Sequence, residues 1–295
     1  MVAIKKNLVK DGIEKLAVAL PKAFDSRVLV TTMEKLFPYT APISDSTKYR
    51  IQNAVKKLPI NWNKRTVLQL YTLVESAEAI DLLSAWTQRR WYLSHFSALY
   101  WNELVEQKPV EHYLSADLHH RLAPENVKPV NIGLVPMAFL KGHRQTQNFC
   151  TYKKMKFFFL ERAASGEIGV ISKSINLEAS SLSIRLTSIE RTLIDSVVSP
   201  QYSGGMPTVV KAFSIAESKL SIPELYRIYT NMNLSYPYWQ TIGFILDQIQ
   251  STKSAQWAGF FEKPAIDFYY DRSATAEWKY SESWRLFYPK GLSKE

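Results

Sequence analysis

A single cysteine, ten glycines and the lack of any long apolar run set the first limits on this 295-residue chain. Cys150 alone can close no intramolecular disulfide and build no Cys-rich zinc site, so it reads as an ordinary intracellular thiol. No stretch approaches the roughly 20 apolar residues that a spanning helix needs. Met1 to Lys10 lacks the apolar segment of a signal peptide, and a cytoplasmic protein is the expectation. The glycines form no phosphate-binding loop: Gly166 and Gly169 fit no such pattern, and Ser203-Gly204-Gly205 has no lysine after it. There is no internal repeat and no Gly/Ser linker. What is present, 46% apolar and 13% aromatic residues, suffices for a large core, and the length favours two domains.

Charge is unevenly spread. Residues 1 to 66 hold 13 Lys/Arg against 5 Asp/Glu, which places +8 of the total +10 in less than a quarter of the chain. A field of one sign in a small unit raises the local concentration of a polyanion, and nucleic acid is the first partner to consider. Three helix signals follow one another there. Ile13, Leu16, Ala17 and Leu20 recur at helical spacing in a first helix from about Lys5 to Leu20. A second is expected to open at Thr31 or Thr32, with Thr31 and Glu34 as a capping box and Met33, Leu36 and Phe37 inward. The segment Tyr39 to Ile43, with Pro42, reads as a turn. A third is expected after Ser44, Asp45 and Ser46, with Ile51, Ala54, Val55 and Leu58 as its apolar stripe up to Pro59.

At about 100° per residue, the opposite face of that third helix would carry Tyr49, Gln52, Asn53, Lys56 and Lys57, flanked by Lys48 and Arg50, with Ser46 at its start. Lysine and arginine meet phosphates, whereas Gln and Asn pair with adenine edges and Arg with guanine, so the face suits a major groove. Asn61 to Arg65 is expected to be a basic turn before the β-prone run Thr66 to Val74, a wing whose Lys64 and Arg65 would touch the DNA backbone. Residues 1–74 are thus read as a winged helix-turn-helix domain.

Residues 75–295 read as a larger α+β domain. Helices are expected from Glu75-Ser76-Ala77-Glu78 through Ile80, Leu83 and Trp86, and after Ser94 with Ala98, Leu99 and Leu104 inward. β-prone runs follow at 111–115, 127–135, 149–160 and 166–172. Thr187 to Glu190 reads as a capping box opening a helix through Leu193, Ile194 and Val197, and further helices are expected near 206–219, 222–232 and 238–250. The last 75 residues hold 17 of the 38 aromatics, a core resource or a stacking surface for a protein or single-stranded nucleic acid according to their exposure.

Catalysis is the competing reading. His95, Glu103, His112, Asp117, His119 and His120 lie within 26 residues, yet His119-His120 is consecutive and no nucleophile motif accompanies them. A surface loop over 112–120 is the preferred reading. Arg191 and Asp195, i and i+4, read as an ion pair that fixes a helix. No enzyme, metal or cofactor is expected.

The stretch Trp91 to Tyr100 (Trp-Tyr-Leu-Ser-His-Phe-Ser-Ala-Leu-Tyr), then Arg191-Thr192-Leu193-Ile194-Asp195, then Ser203-Gly204-Gly205, resembles the AbiE-type antitoxin family of bacterial abortive-infection (type IV toxin–antitoxin) systems. Trp239 to Leu246 and the closing Trp284 segment are similar to later elements of that family. The likeness covers most of residues 75 to 290, with Tyr92, Ser94, Ser97, Arg191, Thr192, Asp195, Gly204 and Gly205 as its motif positions. It implies an N-terminal winged helix-turn-helix, which agrees with the reading of residues 5 to 74. It also implies an antitoxin of a phage-defence operon that binds inverted repeats in its own promoter, acts there as a transcriptional repressor, and counteracts a nucleotidyltransferase-type toxin without a stable complex being required. A palindromic site calls for a dimer or two monomers on double-stranded DNA. This chain departs from the family in its wing, where Asn61 to Arg65 has no glycine. The other reading is a DNA-binding regulator, or an RNA- or protein-binding module, without antitoxin activity.

Overall fold

The computed structural model describes residues 2–38, 43–118, 145–163, 165–177, 180–262, 266–272 and 277–292. The turn at 39–42, the β-prone run 127–135, and His119 and His120 lie outside the described residues. The fold is mixed α+β. The chain divides into two compact units, residues 1–91, 147–156 and 173–184 in the first, and 92–146, 157–172 and 185–295 in the second. Residues 1–74 fall within the first unit. The unit also takes in 75–91 and two later segments: residues 61–62 pair as a strand with 150–151, and the Ser84 and Gln88 side chains donate to Ser183 O.

Three helices, α1 (Val2–Ala19), α2 (Ser26–Leu36) and α3 (Asp45–Gln52), open the first unit. They enclose Leu16, Leu20, Phe24, Leu29, Phe37 and Ile51, while Ala17 faces outward, contrary to expectation. Gly12 permits the close crossing of α1 and α3, since a Cβ there would sit 2.3 Å from Ile51 Cδ1. The second helix starts five residues earlier than Thr31. Asp25 caps it, accepting from Arg27 N at 2.8 Å and Val28 N at 3.1 Å, and the Arg89 guanidinium bonds the same carboxylate. Burial opposes ionisation of Asp25, but the Arg89 hydrogen bond and the two amides hold its carboxyl below the usual range.

Helix α3, capped by Ser44, ends at Gln52 rather than Leu58. Beyond it Lys56–Lys57 forms strand β1, paired antiparallel with β3 (Tyr71–Thr72) in the register Lys56↔Thr72 and Lys57↔Tyr71. Phe24 adds a third rung, exchanging both backbone bonds with Tyr71 at 3.1 and 2.7 Å. A helical period through Val55 and Leu58 therefore yields to a ladder that pairs residues far apart in sequence. Asn61–Trp62 is a strand, β2, and not a free turn; it pairs antiparallel with β6 (Phe149–Tyr152). Asn63 is held as well, its amide nitrogen donating to Phe149 O at 2.9 Å and its side chain to Gln147 O at 2.9 Å. Helix α4 (Ala79–Thr87) buries Trp86, whose Nε1 donates to Leu68 O at 3.2 Å.

In the second unit, β4 (Tyr92–Leu93) lies antiparallel to β5 (Glu111–Leu118), with Tyr92 opposite Ser115, and parallel to β9 (Ser180–Thr187), with Leu93 opposite Leu186. The expected strand 149–160 is two, β6 and β7 (Met155–Ala163), and the run at 166–172 begins as a turn that leads into β8 (Val170–Leu177). Three consecutive buried rings, Phe157 to Phe159, mark β7 as covered on both faces. The helices α5 (His95–Trp101), α6 (Ile189–Val198), α7 (Met206–Ala216), α8 (Ile222–Asn231), α9 (Tyr238–Gln248) and α10 (Ser254–Ala258) share one core, centred on Leu193, Val209, Phe213, Leu225, Ile242 and Trp257. A small mixed sheet closes it, in the order β10 (Phe268–Tyr269), β12 (Leu286–Pro289), β11 (Trp278–Ser281). Helix α6 is capped by Ser188, not Thr187: Ser188 Oγ accepts from Arg191 N at 3.3 Å, while Glu190 accepts from Ser221 N at 3.2 Å.

Candidate functional site

Two groups of polar residues emerge, one exposed and one buried. On α3, Thr47 and Ile51 turn inward, and the remaining positions face out. Ser46, Tyr49, Arg50, Gln52 and Asn53 are exposed, Tyr49 at 65%, while Lys48 is half-buried and donates to Pro38 O at 3.4 Å. Lys56 and Lys57 are exposed too, but as neighbours on β1 rather than on the helix. Lys64 and Arg65 are exposed just after the residues tied to β6. The face thus splits into a helical part, with Arg50 and Gln52 on α3 and Asn53 at its C-cap, and a strand part bearing the Lys56 and Lys57 ammonium groups.

The buried group contains most of the motif residues. Arg191 and Asp195, both fully buried, make the i, i+4 pair at 3.1 Å on α6, and Arg162 from β7 donates to the same Asp195 oxygen at 2.8 Å. Burial opposes ionisation of Asp195, yet the guanidinium charges of Arg162 and Arg191 bring its carboxyl down to about 2. Arg191 also donates to Ile168 O at 2.5 Å. Asp117 on β5 accepts from Ser165 N at 2.6 Å and Glu167 N at 3.1 Å, and Tyr92 donates to its other oxygen at 3.0 Å. The turn 165–169 is therefore gripped by a cation on its carbonyl and an anion on its amides. Gly169 is needed where it passes Arg191: its φ is +71°, and a Cβ would lie 2.8 Å from that of Arg191.

The other motif positions also bind the scaffold together. Ser97 Oγ accepts from Tyr113 N at 2.8 Å, and Thr192 shares its hydroxyl with Thr187 at 2.7 Å and with Asn102 at 3.1 Å. Gly204 and Gly205, at φ +79° and +85°, make the turn into α7. Ser94 Oγ links Ser115 Oγ at 2.7 Å to His95 Nδ1 at 2.9 Å. This row resembles the parts of an activated nucleophile, but burial pushes the His95 imidazole down to about 4, too weak a base to activate a hydroxyl near neutral pH. A cavity of about 350 Å³ beside it is lined by His95, Ser115, Arg162, Tyr202 and Thr146 among others.

His112 does not sit on a surface loop. It lies on β5, stacked on Phe157 at 5.0 Å, and neither ring nitrogen has a hydrogen-bond partner among the described residues. Burial lowers its pKa to about 4. Among the described residues no group of three or more His, Cys, Asp or Glu is placed to hold a metal ion, and no helix is long and apolar enough to cross a membrane. Of the C-terminal rings, only Phe260 and Tyr280 are exposed, so those aromatics are mostly core. Sequence reasoning missed Arg162, Ser165 and the Asp25–Arg89 pair. Asp117 and Arg162, charges near the C-terminal ends of β5 and β7, were the available signal.

No protein-family model matches the chain, and no curated protein matches it. The crystal structure of the RV2827C protein from Mycobacterium tuberculosis is similar to it with a TM-score of 0.55 and 14% identity, covering 96% of this chain and 91% of that one. At that identity the likeness is one of fold.

Proposed function

We propose that this chain is a DNA-binding antitoxin that represses its own toxin–antitoxin operon and counteracts a nucleotidyltransferase-type toxin. The observation that carries the DNA half is the exposed face of Arg50, Gln52, Asn53, Lys56 and Lys57 in the part of the chain that holds most of its net charge. Helices α1 to α3 followed by a short ladder support the winged helix-turn-helix reading, on which α3 would enter the major groove and the β1–β3 connection would lie beside the phosphates. On this reading Lys56 and Lys57 belong to the wing, and Lys64 and Arg65 lie beyond its first strand. The antitoxin half rests on the resemblance of the Trp91–Tyr100, Arg191–Asp195 and Ser203–Gly205 segments.

The test is binding of the full chain to DNA upstream of its gene and to a scrambled duplex across a salt series. Gln52→Ala or Asn53→Ala should cost roughly 1–3 kcal/mol on the upstream DNA and relax specificity, whereas Lys56→Gln or Lys64→Gln should weaken both duplexes and flatten the salt dependence. Equal affinity for both duplexes would remove the autorepressor reading. Co-expression with a nucleotidyltransferase-type toxin tests the antitoxin half, rescue of growth being the expected result.

A further inference from the structure

A cleft of about 550 Å³ opens in the second unit between α9, α10 and the chain entering β12. Its walls include the rings of Trp239, Phe261 and Trp284, and the charged residues that line it are Asp247 and Glu262. Both carboxylates are exposed, and neither makes an ion pair among the described residues, in a chain whose net charge is +10. We propose that this cleft receives a basic side chain, the guanidinium of an arginine or the ammonium of a lysine presented by a partner protein.

The walls are built in advance. Trp284 lies flat on Gly243, where a Cβ would be 2.2 Å from the indole, so no other residue could seat the ring there. Its Nε1 donates to Asp247 Oδ2 at 2.5 Å, and its carbonyl accepts from Gln240 Nε2 at 2.6 Å. Trp239 stacks on Phe261 at 4.4 Å with 4° between planes, and meets Trp284 edge-on at 6.2 Å. Among the described residues Asp247 accepts from neutral donors, the Trp284 indole and the Ser254 hydroxyl, and has no cation paired with it. Indole rings beside unneutralised carboxylates attract an organic cation through the ring quadrupole and through charge, and rigid walls spend little entropy on binding. A neutral apolar ligand would bury both carboxylates unpaired, and an anion would meet them directly. The inference stands without the DNA-binding reading.

The test uses the full chain and three peptides: acetyl-Gly-Arg-Gly-amide, its lysine counterpart and its citrulline counterpart, which keeps the shape of arginine without the charge. Binding is followed by tryptophan fluorescence and by the indole N–H resonances. The arginine and lysine peptides should bind, the citrulline peptide at least about tenfold more weakly, and added salt should weaken the first two. Glu262→Gln, at an exposed position, should reduce arginine-peptide binding several-fold with the melting temperature unchanged. Trp239→Leu should abolish binding. Equal binding of citrulline and arginine peptides, no binding of any peptide, or unchanged affinity in Glu262→Gln would overturn the proposal.

Discussion

The same residue types do opposite work in the two units. In residues 43–65, Arg50, Lys56, Lys57, Lys64 and Arg65 are exposed to water, where charge contributes little to folding. In the second unit, Arg191 and Asp195 are fully out of water, joined by Arg162, and their charge is spent on holding α6, β7 and the turn at 165–169 together. The contrast teaches that a charged motif read from sequence has no meaning until its burial is known. Lys56 and Arg191 are both basic and both stood as candidate site residues; the first is exposed and the second is fully buried.

The largest effect expected along this contrast is from Asp195→Ala. It leaves two guanidinium groups facing each other without their shared anion, and should cost about 3–5 kcal/mol in urea denaturation. A loss under about 1 kcal/mol would put Arg162 and Arg191 in the exposed class instead. Next comes pH. His95 and His112 titrate near 4 in the fold against 6.5 when exposed, so the unfolded chain binds protons first as pH falls. Their contribution is complete above 6.5 and is lost as pH drops toward 4. Asp195 adds a second, lower window: its contribution is present above 3.8 and lost between 3.8 and about 2. Denaturation midpoints should therefore fall steadily from pH 6.5 to 4, and His112→Phe, which removes one buried imidazole, should shallow that slope. An unchanged slope would mean that His112 is not neutral through this range.

Gly12→Ala comes third. Its methyl group meets the Ile51 side chain, and the cost should be about 1–3 kcal/mol, with weakened DNA binding as α3 is displaced. Smallest in stability is Lys56→Gln with Lys57→Gln, within about 0.5 kcal/mol of the parent. Its signature lies elsewhere, in a salt dependence of DNA binding shallower by about one phosphate contact per lysine. A destabilisation comparable to Asp195→Ala would erase the distinction between the two regions.

Long periodic segments were legible: 206–219, 222–232 and 238–250 all became helices with ends moved by a few residues. So was the Arg191–Asp195 pair, because i, i+4 spacing on a helix brings two side chains together wherever the helix lies. Helix ends were less legible. Asp25 displaced Thr31 as the α2 cap because Arg89, 64 residues away, holds its carboxylate. Helix α3 stopped at Gln52 because Lys56 and Lys57 pair with residues beyond an intervening strand. In the candidate site, the exposed residues of α3 followed from helical phase alone, whereas Arg162 and the grip on the turn at 165–169 did not.

Local order along the chain, then, was enough for the α+β class, the segregation of positive charge and the outward face of α3, since each depends on neighbours within a turn or two of helix. Which charges are buried, where β1 begins, and which carboxylate each arginine meets depend on residues 23 to 84 positions apart. Those contacts form because burying a charge or a strand edge unpartnered is costly, and the partner that relieves the cost comes from wherever the fold can bring one.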